Sequence, residues 1–136
     1  MNTEIAYQPP TVAEFIQLRA DVDWGKTSAS LAQESLNNSL FHVTLRDSGQ
    51  LIGMARVIGD GALFFYIQDL IVAPTYQAQG YGKVLMQEVE KYLGENACKG
   101  ATIGLFAAKG KEGFYASYGY QARTGTPLGK GMCKFV

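Results

Sequence analysis

The chain has 136 residues, 47% of them hydrophobic, with 12 basic and 12 acidic side chains and so no formal net charge. That length suits one domain burying roughly two-thirds of its unfolded surface, and the balanced charge gives no reason to expect a nucleic-acid partner. The start Met-Asn-Thr-Glu lacks the basic and apolar regions of a secretory signal, no apolar run reaches the ~18 residues of a membrane span, and Cys98 and Cys133 read as reduced, partly buried thiols of a cytoplasmic protein.

Repeats, low-complexity segments and linkers are absent. Glu4–Tyr7 reads as a short edge strand closed by Pro9-Pro10. Thr11 can cap a helix with Glu14 at the capping-box position, and Phe15, Ile16, Leu18 and Arg19 continue it. Val22-Asp23-Trp24-Gly25 is a loop, and Ser28 or Ser30 starts a second helix reaching about Asn37. The period then changes to two: Phe41, Val43 and Leu45 face one side of a strand while His42, Thr44 and Arg46 face the other. On that pattern His42 is a surface histidine. Turns at Asp47-Ser48-Gly49 and Gly59-Asp60-Gly61 join this strand to Leu51–Ile58 and then to Ala62–Val72, an antiparallel meander.

A helix from Tyr81 to Leu93 carries Tyr81, Val84, Leu85, Val89, Tyr92 and Leu93 on one stripe, with Gly94 as its stop. Ala101–Phe106 is an apolar strand. It follows a strand and a crossover helix, so it is expected to lie parallel to Phe64–Val72 with right-handed connectivity. A short helix about Glu112–Tyr118 and strands near Tyr120–Arg123 and Met132–Val136 complete the chain, with a glycine-rich loop from Gly125 to Gly131.

The most informative stretch is Gln77-Ala78-Gln79-Gly80-Tyr81-Gly82, between a strand ending Leu70-Ile71-Val72-Ala73-Pro74 and a helix. Glycines at a strand-to-helix joint let backbone N–H groups face a ligand beside the positive end of the helix dipole, which is the physics of a phosphate cradle. A P-loop would need Gly at position 77 and Ser or Thr after Lys83, where the chain has Gln77 and Val84. A dinucleotide fingerprint would need a small residue at position 85, where Leu85 stands. What remains, Gln-x-x-Gly-x-Gly, resembles the pyrophosphate loop of the GNAT N-acetyltransferase superfamily, matched at Gln77, Gly80 and Gly82. A second stretch, Phe114-Tyr115-Ala116-Ser117-Tyr118-Gly119-Tyr120, resembles that family's Phe-Tyr-x-x-x-Gly-Phe.

The resemblance implies an α/β (α+β) GNAT fold over the whole chain: a mixed sheet of about six to seven strands with an antiparallel N-terminal meander, one central parallel pair and about four helices. It implies acetyl-CoA as donor and no metal. The pyrophosphate would sit on the backbone of Ala78, Gln79, Gly80, Tyr81, Gly82 and Lys83, and the Gln77 amide would stand where many members place Arg. The pantetheine amides would pair with the main chain of Leu70, Ile71 and Val72, a small-molecule case of strand addition. The family's Asn ahead of its Tyr is missing from Ala107-Ala108-Lys109-Gly110-Lys111, where Lys109 or Lys111 offers a charge instead.

Tyr115 matches the family's general acid, which protonates a departing thiolate whose conjugate acid has a pKa near ~8.5; the other reading is a core aromatic. Asp69, interrupting an apolar run, is the first candidate for the base that deprotonates an amine. Equally it is an aspartate ion-paired with Arg56. Trp24, with Tyr66 on the neighbouring strand, is either a wall of the acceptor pocket or a core plug. These readings lead to an N-acetyltransferase acting by direct transfer in a ternary complex on a small primary amine, possessing no membrane or nucleic-acid partner and capable of pairing as a homodimer as many relatives do. Acetylation of a protein Lys or N-terminus, and non-catalytic acyl-CoA binding, are the competing readings.

Overall fold

A computed structural model describes residues 2–136, which fall into two compact units, one ending at Leu105 and the other spanning Phe106–Val136. In the first unit, five strands form one sheet in the order β1 (Thr3–Ala6), β2 (Phe41–Asp47), β3 (Gln50–Gly59), β4 (Phe64–Val72) and β5 (Thr102–Gly104). All pairings are antiparallel except β4 with β5, which is parallel, as strand–helix–strand connectivity requires.

Helix α1 (Val12–Asp21) begins at Thr11, whose hydroxyl accepts from the Glu14 amide while the Glu14 carboxylate accepts from the Thr11 amide, the expected capping box. Ser28 caps α2 (Ala29–Asn37). Both helices lie on one face of the sheet, where Phe15, Leu18, Ala32 and Leu36 pack with Leu51, Met54 and Ile71. Helix α3 (Tyr81–Asn96) covers the other face through Leu85, Met86, Val89 and Leu93. The approach is close at Gly53, where a methyl group would stand 3.0 Å from Leu85 Cδ1 and 3.2 Å from the Ile71 carbonyl oxygen.

Two expectations are corrected and a third is narrowed. Gly94 does not end α3, which runs on to Asn96, because a glycine inside a packed helix costs only about 1 kcal/mol. Of the two starts read from the sequence, Phe64 and Ala62, strand β4 takes Phe64, since the Asp60 carboxylate accepts from the amides of Ala62, Leu63 and Phe64 and holds them in a compact turn. The sheet has five strands instead of six or seven. In the second unit only α4 (Glu112–Ala116) is regular, and Tyr120–Arg123 and Met132–Val136 are not in strands. Strand propensity is realised only against a neighbour, and glycines at 119, 125, 129 and 131 weaken it further here.

Candidate active site

The glycine loop takes its shape from a single turn of 3-10 helix, Pro74–Tyr76, and two left-handed residues, Ala78 (φ 61°) and Gly80 (φ 89°). Gly80 is the N-cap of α3, its carbonyl accepting the Val84 amide at 3.2 Å, and no side chain caps the helix. The first amides of a helix have no partner within the helix itself. A Cβ placed on Gly80 would meet nothing within 4 Å, so the space before the helix is open. Both glutamines brace the loop: Gln77 Nε2 donates to the Val72 carbonyl at 3.0 Å and Gln79 Nε2 to the Thr75 carbonyl at 3.3 Å. The Gln77 amide group is thus turned back toward the end of β4.

Strand β4 carries a bulge. Met54 faces Ile71 and Arg56 faces Gln68, so Ala55 alone opposes Asp69 and Leu70. Asp69 takes up the extra residue in the left-handed region, φ 55°. A one-residue slip reverses the faces of all side chains beyond it: Phe65 and Ile67 share the α3 face with their partners Gly59 and Val57, whereas Ile71 joins the α1–α2 core. The parallel ladder with β5 ends at Tyr66–Gly104, whereas β4 continues to Val72. Leu70, Ile71 and Val72 thus run on from the divergence straight into the glycine loop.

The Asp69 side chain is wholly buried between two guanidinium groups. Its Oδ2 accepts from Arg56 Nε at 2.7 Å, and its Oδ1 accepts from Arg19 Nη1 and from Gln68 Nε2, the latter at 3.1 Å. Arg56, 5% exposed, also donates to the Ser35 carbonyl, the Ser35 hydroxyl and the Ser39 hydroxyl. Burying these charges is tolerable because every one is paired. Arg19 also stacks on Phe15 and on Trp24, its Cζ lying 5.6 Å and 5.5 Å from their ring centres. The Trp24 amide donates to the Arg19 carbonyl at 2.9 Å, and the residue is 38% exposed. Of the two sequence readings of Asp69, the ion pair with Arg56 is therefore present, and Trp24 stands at the rim of the α1–α2 core.

His42 is corrected from a surface residue to a half-buried one. Its Nε2 lies 3.0 Å from the Leu36 carbonyl, and its Nδ1 is buried with no partner among the described residues. Burial lowers its pKa, which keeps the ring neutral near pH 7.

Tyr115 belongs to the second unit. It sits in α4, edge-on to Phe114 at 5.1 Å, its carbonyl accepting from the Tyr118 and Tyr120 amides. Burial raises its phenol pKa above the usual 10, so it stays a proton donor at neutral pH. The structure thus joins Asp69, Leu70–Val72 and Gln77–Lys83 on consecutive elements of one unit and links Trp24 to them through Arg19; Tyr66 lies earlier on β4, opposite Ile58 and Gly104. Arg19 is the member that sequence reading did not assign a role. Its signal was an arginine four residues after Phe15 on a core-facing stripe, where a charge implies a buried partner.

A family model described as an acetyltransferase (GNAT) domain matches residues 16–136. The chain is 33% identical over 111 residues to an uncharacterised ycf52-like N-acetyltransferase from Prochlorococcus marinus, an alignment covering 79% of this chain and 61% of that protein. It is 30% identical over 118 residues to a probable acetyltransferase, TAP2, of Glycine max, covering 79% of this chain and 47% of that protein. The chain thus spans about half to six-tenths of the length of these curated relatives. A solved structure of a probable acetyltransferase from methicillin-resistant Staphylococcus aureus superposes with a TM-score of 0.88 at 32% identity, over 98% of this chain and 99% of that one.

Proposed function

Since the chain belongs to the GNAT acetyltransferase family, we propose that it moves the acetyl group of acetyl-CoA onto a primary amine by direct transfer in a ternary complex. The observation that carries this reading is the union of an open, uncapped glycine loop at Gly80 with a strand, β4, that outruns its parallel neighbour. Bound acetyl-CoA supplies a thioester carbon for the amine to attack and a thiolate leaving group.

The residues would share the work as follows. Amides from Ala78 to Lys83 and the α3 N-terminus hold the pyrophosphate. The main chain of Leu70, Ile71 and Val72 aligns the pantetheine arm, which needs no particular side chains. Gln77 and Gln79 keep the loop in shape before the donor arrives, reducing the ordering cost of binding. Tyr115, neutral at working pH, protonates the departing thiolate. Trp24 and Tyr66 line the approach of the acceptor. A protonated amine must first lose its proton to solvent before it attacks.

The acceptor is a small amine on this reading, since the chain shows no acidic run suited to a basic peptide. Relatives bear names of both kinds, a histone acetyltransferase of Glycine max and a serotonin N-acetyltransferase of Oryza sativa. The test is calorimetry with acetyl-CoA on the native protein and on Gly80→Trp, followed by thiol release across a panel of amines and lysine peptides. Binding that the substitution abolishes, with release on amines, supports the proposal. Release on peptides alone would replace the acceptor class, and binding without release on any acceptor would leave a non-catalytic acyl-CoA module.

A further inference from the structure

Asp69 sits where sequence reasoning would look for a base, yet three observations point elsewhere. Its backbone is in the left-handed region at the bulge, a conformation Asp tolerates better than most residues and one usually held by its surroundings. Its two carboxylate oxygens are committed to Arg56 and Arg19. To accept a proton from an amine it would have to surrender a guanidinium from a site with no exposed carboxylate surface. Without the bulge, alternation would aim position 69 at the face of Phe65 and Ile67, away from Arg56 and Arg19.

The same carboxylate has a second consequence. Arg19 is partly exposed, 25% for its side chain, and its guanidinium touches both Asp69 and Trp24. The Trp24 loop contains two positive-φ residues, Asp23 (φ 63°) and Gly25 (φ 80°), one on each side of the indole-bearing residue. Arg19 is the platform for that indole, and Asp69 sets the platform's position.

We propose that Asp69 and Arg19 are positioning residues that couple the acceptor loop at Trp24 to the bulged strand β4, so that donor strand and acceptor wall are aligned by one carboxylate. This rests on the acetyltransferase reading for its kinetic consequences, though the coupling itself does not. Arg19 would thereby set acceptor specificity: loss of its flat cationic face frees the indole and loosens the amine's wall without disturbing the phosphate loop.

Trp24 is the only tryptophan, so its emission reads the coupling with no substrate present. Asp69→Asn keeps the size and the left-handed tolerance and removes the charge. It is expected to change Trp24 emission and anisotropy in the same sense as Arg19→Gln, and the double variant to add little to either single one. Native emission in a folded Asp69→Asn protein would overturn the proposal. Should that variant fail to fold, Arg19→Lys serves in its place: it keeps a cation for Asp69 but has no flat face for the indole, and unchanged emission would equally overturn it.

In turnover, Arg19→Gln is expected to raise the acceptor KM roughly tenfold with kcat and acetyl-CoA affinity changed by less than about threefold. Asp69→Asn is expected to keep the acidic limb of the kcat/KM profile; its disappearance, with kcat lower by about 100-fold or more, would make Asp69 the base after all. If the native protein neither binds acetyl-CoA nor releases thiol, the functional proposal fails, and the emission experiment still decides the coupling.

Discussion

The Tyr76 hydroxyl donates to the Asp47 carboxylate at 2.9 Å, joining the turn just ahead of the glycine loop to the far end of β2. That bond raises the Tyr76 phenol pKa, and the ring leans on Tyr81, the first residue of α3, at 6.2 Å. One side chain therefore anchors both the entry and the exit of the loop.

Tyr76→Phe should consequently leave the fold intact and loosen the loop. We expect acetyl-CoA to bind about three- to tenfold more weakly, as for the loss of one ordering hydrogen bond. Calorimetry measures this directly, and an unchanged Kd would mean the loop needs no anchor.

Gly53 should resist even a methyl group. In Gly53→Ala the new Cβ meets the fully buried Leu85 side chain and the Ile71 carbonyl on the strand proposed to hold the donor. Overpacking of this kind costs ~1–3 kcal/mol. A thermal melt should show a lower Tm, and a double variant with Leu85→Val should recover part of the loss.

The Glu14–Arg46 pair should give the protein an acid-sensitive contribution to stability. Arg46 grips both Glu14 oxygens, at 2.7 and 2.8 Å, and this hydrogen bonding lowers the Glu14 pKa from 4.5 to about 2. A depressed folded-state pKa means the stabilisation is complete above about pH 4.5 and is lost as pH falls toward 2. The pair is partly exposed, so screening reduces its worth to about 1 kcal/mol. Glu14→Gln keeps the capping box, and its stability should fall less steeply than the native protein's when unfolding is followed from pH 6 to 2.5.

Tyr115→Phe should lower kcat by about 100-fold with acetyl-CoA affinity nearly unchanged, the mark of a lost general acid. Because burial raises the phenol pKa, the alkaline fall in native activity should come above pH 10, and the Phe variant should lack it. Equal kcat values for the two proteins would return Tyr115 to the role of a packing aromatic.

Local signals were legible where the physics is local. Thr11 with Glu14 marked a helix start, the period-two run from Phe41 marked a strand, and Gly80 was the only residue type that could cap α3 at φ 89° without strain. Asp60 left two starts open for β4 because its side chain competes for three amides that a strand would otherwise use. Tyr120–Arg123 and Met132–Val136 misled because a strand-like composition has no force without a neighbouring ladder.

The sequence by itself determined the family, the order of helices and strands as far as α4, and the glycine loop, since each depends on residues a few positions apart. Only the tertiary structure decided what Asp69, Arg19, His42 and Trp24 touch. The bulge that turns Asp69 toward the arginines is a register shift between β3 and β4, invisible in an apolar run whose burial alternates without a break through residues 64–72. Arg19 and Asp69 stand fifty residues apart in the chain. Their meeting follows from packing α1 over a sheet, and a buried carboxylate acquires its chemistry from whichever charges the fold brings to it.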